Sequence, residues 1–385
     1  MKVIFLKKHI LLTNILIFTF IIFLLTNSSL VVESITNSTK LFVEKILPAL
    51  FIYIFLTELL INFNLAKNLS IPFSKIISKL FIIPESSSST VVIGLLLGYP
   101  NSAKYIKRLY EQGKITESEA NKLVAFTSNA NMSYIVCTIG ILMFNNISYG
   151  IILTISHFLA SIILGIVIKT SKPRVIIQQT KIKENSFKNI YSYFDVITLS
   201  VLATLKTLGL IFSYTIIFSL IPTLFLNYIT IPEIYKGLIT GIFELSNGIK
   251  IISNLNINIT TKLVIISFIL SFSSLMVIMQ IYSFVYKAKV KFLSILKHKF
   301  MQGIISSTIT YILLKIIKVQ TVPVFSNSYE LTKNLIILPS TIYMFFVLFT
   351  IILLSFLYRK KRQLTCRLKR GILKKFETNH IICKK

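Results

Sequence analysis

Long apolar runs, separated by short polar and basic segments, extend along most of the chain. Each long run approaches the roughly 20 apolar residues that a helix needs to cross the hydrocarbon core of a bilayer. The pattern therefore predicts an all-α polytopic membrane protein with about eight transmembrane helices. We expect these spans near residues 10–32, 44–63, 123–144, 150–169, 195–221, 263–286, 300–318 and 335–358.

Two further apolar segments, near 88–110 and 234–256, are too short and too interrupted to cross a bilayer as single helices. Each contains a Gly-x-x-x-Gly pair, and the two pairs lie 143 residues apart. Short, broken segments at matching positions in two halves are the best sequence sign of a transporter binding site. We interpret them as two re-entrant helical hairpins in inverted repeats. The residues expected to shape these hairpins are Gly94, Gly98, Pro100, Gly237, Gly241 and Gly248.

The span after each hairpin has a polar interruption in its middle, at 127–133 in the first repeat and at 271–274 in the second. Irregular backbone inside a bilayer is tolerated only where it is buried in protein or lines a wet cavity. We therefore expect the hairpin tips to meet these breaks around a substrate. The candidate substrate-binding residues in the hairpins, breaks and neighbouring spans are Asn101, Ser102, Thr127, Ser128, Asn129, Asn131, Ser133, Lys206, Glu244, Ser246, Asn247, Ser273, Ser274 and Gln280.

Ionisable residues within the predicted spans are functional candidates by default, because charge at membrane depth is costly. Glu244 could bind a cation, accept a proton or hydrogen-bond a substrate, or it could lie in water at the outer surface. Lys206 could attract a carboxylate or pair with Glu58 or Glu244. Glu58 could instead form a structural ion pair with Lys104. His157 is interpreted as hydrogen-bonded packing rather than as a proton relay.

Composition supports a membrane protein, since 54% of the residues are hydrophobic, 14% are charged and the mean hydropathy is +0.77. A net charge of +29 would indicate nucleic acid in a soluble protein. Here the basic residues lie between the spans and in the tail, so we predict no nucleic-acid partner and apply the positive-inside rule. It places both termini in the cytoplasm, together with the lysine-rich loop after Tyr286, which extends to Lys299.

Motifs for catalysis and metal binding are absent from the sequence. There is no Walker loop, no His-Glu-x-x-His, no Gly-x-Ser-x-Gly and no Cys/His ligand spacing. The three cysteines are scattered and imply no disulfide framework. We therefore predict that the protein is not an enzyme and has neither a metal site nor a cofactor.

The same pattern divides the chain into consecutive segments. These are an N-terminal transmembrane helix (1–35), a first repeat with the following helix (36–170), a basic cytoplasmic linker (171–194), a second repeat (195–290), two C-terminal transmembrane helices (291–358) and a basic cytoplasmic tail (359–385).

Several stretches resemble a family of sporulation membrane proteins, and they lie at 46–61, 98–123, 126–140, 241–249 and 271–283. The most specific is Gly-Tyr-Pro…Ala-Lys followed by Tyr-Glu-x-Gly. Over roughly residues 40–310 the chain resembles the YlbJ (SpoVV) family of sporulation integral membrane proteins, which has two nucleoside recognition (Gate) domains. Ser102 stands where that family's motif usually has its second glycine.

The resemblance implies a protein of the outer forespore membrane, made by the mother cell of a sporulating bacterium, that moves dipicolinic acid toward the spore. Gate domains are similar in layout to concentrative nucleoside carriers. Three functions therefore remain open: a carrier for an anionic metabolite, a nucleoside-type carrier, and a non-transport scaffold for spore assembly. The expected partners are a small anionic substrate and membrane lipid. A coupling cation or proton, a second copy of the chain and sporulation proteins are further candidates, and facilitated diffusion fits equally well.

Overall fold

The computed structural model describes residues 14–15, 17–63, 65–96, 98–168 and 193–317. These residues are helical apart from short breaks and turns, and they contain no β-strand, so the all-α prediction is confirmed for them. The predicted span near 335–358, the basic tail and most of the basic linker lie outside the described residues.

The helices are α1 (Ile17–Thr26), α2 (Ser28–Leu41), α3 (Leu47–Asn62), α4 (Leu65–Ser70), α5 (Ser74–Phe81), α6 (Ser88–Leu96), α7 (Asn101–Glu111), α8 (Glu117–Thr127), α9 (Ile147–Val167), α10 (Tyr193–Leu226), α11 (Glu233–Phe243), α12 (Leu245–Asn254), α13 (Ile259–Phe272), α14 (Ser274–Val285) and α15 (Phe292–Ile316). The π-helical segment Phe42–Ile46 directly follows α2. A second π-helical segment, Tyr134–Met143, follows the polar interruption at 127–133.

The predicted number of eight membrane spans is not confirmed by the described residues. Three helical stretches of the described residues are long and apolar enough to cross a membrane, namely α9, α10 and the continuous stretch Ile259–Ala288 that contains α13 and α14. Two bent pairs raise the number to five: α1 with Ser28–Asn62, bent by 90°, and Ile71–Phe81 with Glu85–Leu95, bent by 112°. The described residues thus provide three to five candidate spans.

The segment between α3 and α6 is largely helical and contains α4 and α5. Within α5, Ile77 and Phe81 are one helical turn apart and pack against the core. The Phe81 ring lies 4.7 Å from the Phe126 ring, measured between centroids. This amphipathic helix therefore connects the entrance of the first hairpin to α8.

Each repeat consists of two short helices followed by a broken helix. In the first, α6 and α7 precede α8, and the chain is non-helical from Ser128 to Asn131. In the second, α11 and α12 precede α13, which ends at the left-handed residue Ser273. Both polar interruptions are therefore breaks in the helix, at the positions that the sequence predicts.

The broken helices are shared between two apolar clusters. One cluster combines α7 and α8 with α14, and includes Ile106, Leu123 and Ile281. The other combines the segment Tyr134–Met143 with α12 and α13, and includes Ile139 and Leu270. Each cluster contains half of each broken helix, so the breaks lie where the two clusters meet.

Candidate functional site

The tip of the first hairpin packs directly on the break of its own repeat. The Tyr99 amide donates a hydrogen bond to the Asn129 carbonyl over 2.8 Å. Gly98 has φ +68°, and a Cβ atom there would lie 3.0 Å from the Asn129 oxygen and the Asn131 nitrogen. A Cβ atom on Gly94 would lie 2.2 Å from the Thr127 carbonyl oxygen. The predicted glycines therefore permit the close approach of the two backbones.

The amide side chain of Asn129, which is fully buried, holds the first break in place. Its nitrogen donates to the Phe126 carbonyl and to the Ser161 hydroxyl, each over 3.0 Å. Its oxygen accepts a hydrogen bond from Gln302 Nε2, also at 3.0 Å. Asn129 thus fixes the break to α9 and α15, and all its polar atoms have protein partners.

His157 on α9 connects the two repeats. Its Nε2 atom accepts a hydrogen bond from the Ala130 amide at 3.0 Å. Its Nδ1 atom lies 2.7 Å from the hydroxyl oxygen of Ser271, at the end of α13. The ring is fully buried, so the interpretation of His157 as hydrogen-bonded packing fits, and this packing joins the two breaks.

Lys299 on α15 is fully buried and reaches the same break. Its ammonium donates to the Ser128 carbonyl and, over 2.8 Å, to Gln302 Oε1. The prediction that Lys299 belongs to a loop is therefore wrong, because the lysine lies in α15, whose polar side faces the protein interior.

A polar stripe on α15 could have revealed this arrangement. Lys299, Gln302, Ser306 and Thr310 are spaced by three, four and four residues, which places them on one helix face. Ser306 and Thr310 approach Ser267 on α13, with oxygen–oxygen distances of 2.8 and 2.7 Å. The stripe thus packs against both broken helices.

Glu244 lies at the turn of the second hairpin and is fully buried, so the alternative that it is solvated at the outer surface is wrong. Its Oε1 accepts a hydrogen bond from the Ser246 amide at 2.9 Å, and its Oε2 accepts one from the Asn247 amide at 2.6 Å. The carboxylate therefore caps the first turn of α12, where unpaired amides favour negative charge. The Asn247 side chain donates to Ser38 on α2 over 3.2 Å.

The second break places two consecutive serines in left-handed conformations. Ser273 has φ +69° and Ser274 has φ +47°, and both are fully buried. Left-handed backbone is unfavourable for residues with a Cβ atom and concentrates at functional sites. The strained turn ends α13 and starts α14.

A small, partly open cavity lies where the hairpin tips and the broken helices converge. The centre of a water molecule can occupy about 40 Å³ of it. Its polar lining comes from Tyr99, Asn131, Tyr134, Thr215, Ser246 and Gln280, and its apolar lining comes from Ile46, Leu50, Ile54, Ile211, Leu245, Met276 and Val277. Both hairpins and both broken helices therefore contribute to one cavity, together with α3 and α10.

Gln280 differs from the other polar residues of the cavity. Its side chain is 2% exposed, yet neither its amide nitrogen nor its amide oxygen has a hydrogen-bond partner among the described residues. By contrast, Tyr134 and Ser246 bond each other at 3.0 Å, and Asn131 accepts a hydrogen bond from the Ser133 amide. A buried, unpaired amide is costly unless something binds it.

The other predicted site residues lie outside the cavity lining. Asn101, Ser102 and Ser128 are buried with side-chain polar atoms that lack partners among the described residues. Thr127 donates to Leu123 in its own helix, and Ser133 reaches the Ala49 carbonyl on α3. The structure brings three predicted residues, Asn131, Ser246 and Gln280, to the cavity.

Two predicted ionisable groups have different surroundings. Glu58 accepts a hydrogen bond from the Lys104 ammonium at 2.8 Å, and Lys104 also donates to Thr207 over 2.7 Å. The predicted Glu58–Lys104 ion pair is therefore confirmed. Lys206 lies on an exposed face of α10 and does not line the cavity, so the structure does not bring it to the other site residues.

Comparison with known proteins gives one informative relative. No family model matches the chain, and no solved structure matches it. The chain is similar to the sporulation integral membrane protein YlbJ of Bacillus subtilis (strain 168), with 23% identity over 316 residues, which cover 74% of this chain and 77% of the relative. The chain is thus similar to a protein named as an integral membrane protein, in agreement with its own helices that are long and apolar enough to cross a membrane.

Proposed function

We propose that the protein is a membrane carrier for a small anionic metabolite, and that its cargo is dipicolinic acid, moved across the outer forespore membrane. The observation that carries the proposal is the unpaired Gln280 amide in a cavity lined by both hairpins and both broken helices. Broken helices around a central site are the usual architecture of alternating-access carriers. The two repeats, within 36–170 and 195–290, would then be the Gate domains of a YlbJ-like protein.

The chemistry of the cavity fits a flat aromatic acid. Dipicolinate is a pyridine ring with two carboxylates, so it needs apolar walls and hydrogen-bond donors. Leu50 and Ile54 provide part of the apolar wall, and the Gln280 amide, the Tyr134 hydroxyl and the Ser246 hydroxyl can donate. Neutral donors in a dry site can bind a carboxylate strongly, because the local dielectric is low.

The cavity is smaller than the proposed cargo. The 40 Å³ available to the centre of a water molecule accommodates a few waters rather than a ring with two carboxylates. We therefore expect the cargo to bind when a hairpin tip moves away from the opposite broken helix. The Tyr134–Ser246 hydrogen bond, which joins the two repeats, is the contact that such an opening would break.

Uptake of labelled dipicolinate into proteoliposomes tests this function, with phthalate and uridine as competitors. We expect saturable uptake that phthalate inhibits and uridine does not. Phthalate presents two carboxylates on a flat ring, whereas uridine has no carboxylate. Absence of uptake by protein shown to be folded and reconstituted in both orientations would contradict the proposal and would favour a scaffold in spore assembly.

A second candidate is a nucleoside-type carrier, and one observation favours it. None of the described residues that line the cavity is Lys, Arg, Asp or Glu. Uncharged amides and hydroxyls suit the ribose hydroxyls and base edges of a neutral nucleoside as well as they suit carboxylates. Inhibition by uridine but not by phthalate, with direct uptake of labelled uridine, would select this alternative.

A further inference from the structure

Lys299 is a buried lysine whose hydrogen-bond partners are neutral oxygen atoms. Its side chain has no exposed surface, and its ammonium donates to the Ser128 carbonyl and the Gln302 side-chain oxygen. No carboxylate of the described residues forms an ion pair with it. Lys104, by comparison, is paired with Glu58. An ammonium without a counter-ion is costly to bury, and the oxygen atoms that accept its hydrogen bonds are the groups among the described residues that favour the charged form.

The position of these oxygens explains how they can do so. Ser128 directly follows α8 and caps its C-terminal end, where the last carbonyls have no partner within the helix. The C-terminal end of a helix also carries partial negative charge, which favours a cation. In carriers with broken helices, unwound carbonyls and half-helix C-terminal ends coordinate the coupling Na⁺ or proton. The Lys299 ammonium occupies a site of this chemistry.

We propose that Lys299 is a tethered monovalent cation that replaces a coupling metal ion at the first break, so that the break holds its shape without Na⁺ or K⁺. Its coupling to cargo movement rests on the proposed carrier function. The effect of Lys299 on the fold is independent of that function, because the hydrogen bonds from its side-chain nitrogen to Ser128 and Gln302 form whether or not cargo moves. Gln302 extends the effect to Asn129, whose carbonyl holds the hairpin tip through Tyr99.

The test compares thermal unfolding of the purified full-length protein in chloride salts of Na⁺, K⁺, choline and propylammonium at equal ionic strength. We expect the wild-type midpoint to be the same in all four salts to within about 1 °C. We expect Lys299→Ala to have a lower midpoint in choline, which is too large for the vacated site. Na⁺, K⁺ or propylammonium should then raise that midpoint by about 3 °C or more through binding to the folded state.

Lys297→Ala is the matched control, because Lys297 lies on the same helix and is exposed; it should respond alike to all four salts. A Na⁺-specific rise of the wild-type midpoint would overturn the proposal, as would a Lys299→Ala protein indifferent to every cation. If Lys299→Ala is recovered folded only with a small cation present, the proposal stands. If it is recovered in no salt, Lys299→Met decides, because methionine keeps much of the side-chain volume without the charge: its midpoint should be lower than that of the wild type in all four salts, and a wild-type midpoint would overturn the proposal. All these readouts are independent of the cargo, so they can fail separately from the uptake assay.

Discussion

The Nδ1 atom of His157 lies 2.7 Å from the Oγ atom of Ser271, and this contact joins the two repeats at their breaks. Because Nε2 of the same ring accepts from the Ala130 amide, a neutral imidazole must have its proton on Nδ1. His157 therefore donates to Ser271 and accepts from Ala130. The ring holds one residue of each break at a fixed separation, so the breaks are expected to move together.

Replacing His157 with alanine should destabilise the protein. The substitution leaves the buried Ala130 amide without a partner, and such a group costs about 1–3 kcal/mol. We expect the free energy of unfolding to fall by that amount, measured by denaturation in detergent. The control is Ser156→Ala on the same helix, since the Ser156 hydroxyl is buried without a partner among the described residues. It should change stability by less than about 0.5 kcal/mol, and equal losses in both variants would argue against the bridge.

Two buried glutamines should respond in opposite ways to replacement by leucine. Gln280→Leu removes no protein hydrogen bond, so stability should be kept while uptake falls about tenfold, equivalent to about 1.4 kcal/mol of cargo binding. Gln302→Leu removes the partner of both Lys299 and Asn129, so the unfolding midpoint should fall. Uptake and thermal unfolding of the two variants, measured side by side, check this. Normal uptake by Gln280→Leu would remove Gln280 from the cargo site.

Gly94→Ala should disrupt the contact between the first hairpin and its break. The added Cβ would lie 2.2 Å from the Thr127 carbonyl oxygen, so the backbones must separate at a cost of about 1–3 kcal/mol. Gly209→Ala on α10 is the control, because a Cβ there meets nothing within 4 Å. Alanine is favoured over glycine in a helix interior by about 1 kcal/mol, so this variant should unfold at a higher temperature. Unfolding curves for both variants test the contrast.

The hairpin tips and the helix breaks were predictable because residue patterns within a few positions of the chain determine them. Glycines that permit close backbone approach, such as Gly94, and polar runs inside apolar spans, such as 127–133, are readable from spacing alone. Tyr99 belongs to the Gly-Tyr-Pro motif at the hairpin tip, but the sequence does not mark either Tyr99 or Tyr134 as a cavity residue, since a buried aromatic residue is ordinarily part of the core. Their role depends on which helices converge, and that is set by long-range packing.

Charge and hydropathy gave misleading predictions for Lys299 and for the first predicted span, 10–32. The positive-inside rule treats lysines as solvated, whereas Lys299 is stabilised by the Ser128 carbonyl, more than 170 residues away in sequence. Hydropathy predicted one span at 10–32, but the helix bends by 90° between Thr26 and Ser28. Apolar content predicts that a segment is buried in protein or lipid, and it does not determine the helix direction.

The ion pair between Glu58 and Lys104 should be energetically coupled, in contrast to a surface pair with similar geometry. The Glu58–Lys104 distance is 2.8 Å, and the side chains are 8% and 27% exposed. Glu233 and Lys236 lie 2.7 Å apart, but their side chains are 62% and 31% exposed. Removing one partner of a largely buried pair leaves the other charge uncompensated, whereas solvent and salt screen an exposed pair.

A double-mutant cycle of Glu58→Gln and Lys104→Met measures this coupling by thermal or denaturant unfolding. We expect each single variant to be destabilised and the double variant to lose less than the sum, with a coupling energy of about 1–3 kcal/mol. The same cycle with Glu233→Gln and Lys236→Met should give less than about 0.5 kcal/mol. Because Thr207 also binds Lys104 at 2.7 Å, Thr207→Val in the Glu58→Gln background should destabilise the protein further. Equal coupling in the two pairs would mean that Lys104 is solvated and that Glu58 does not anchor α7 to α3.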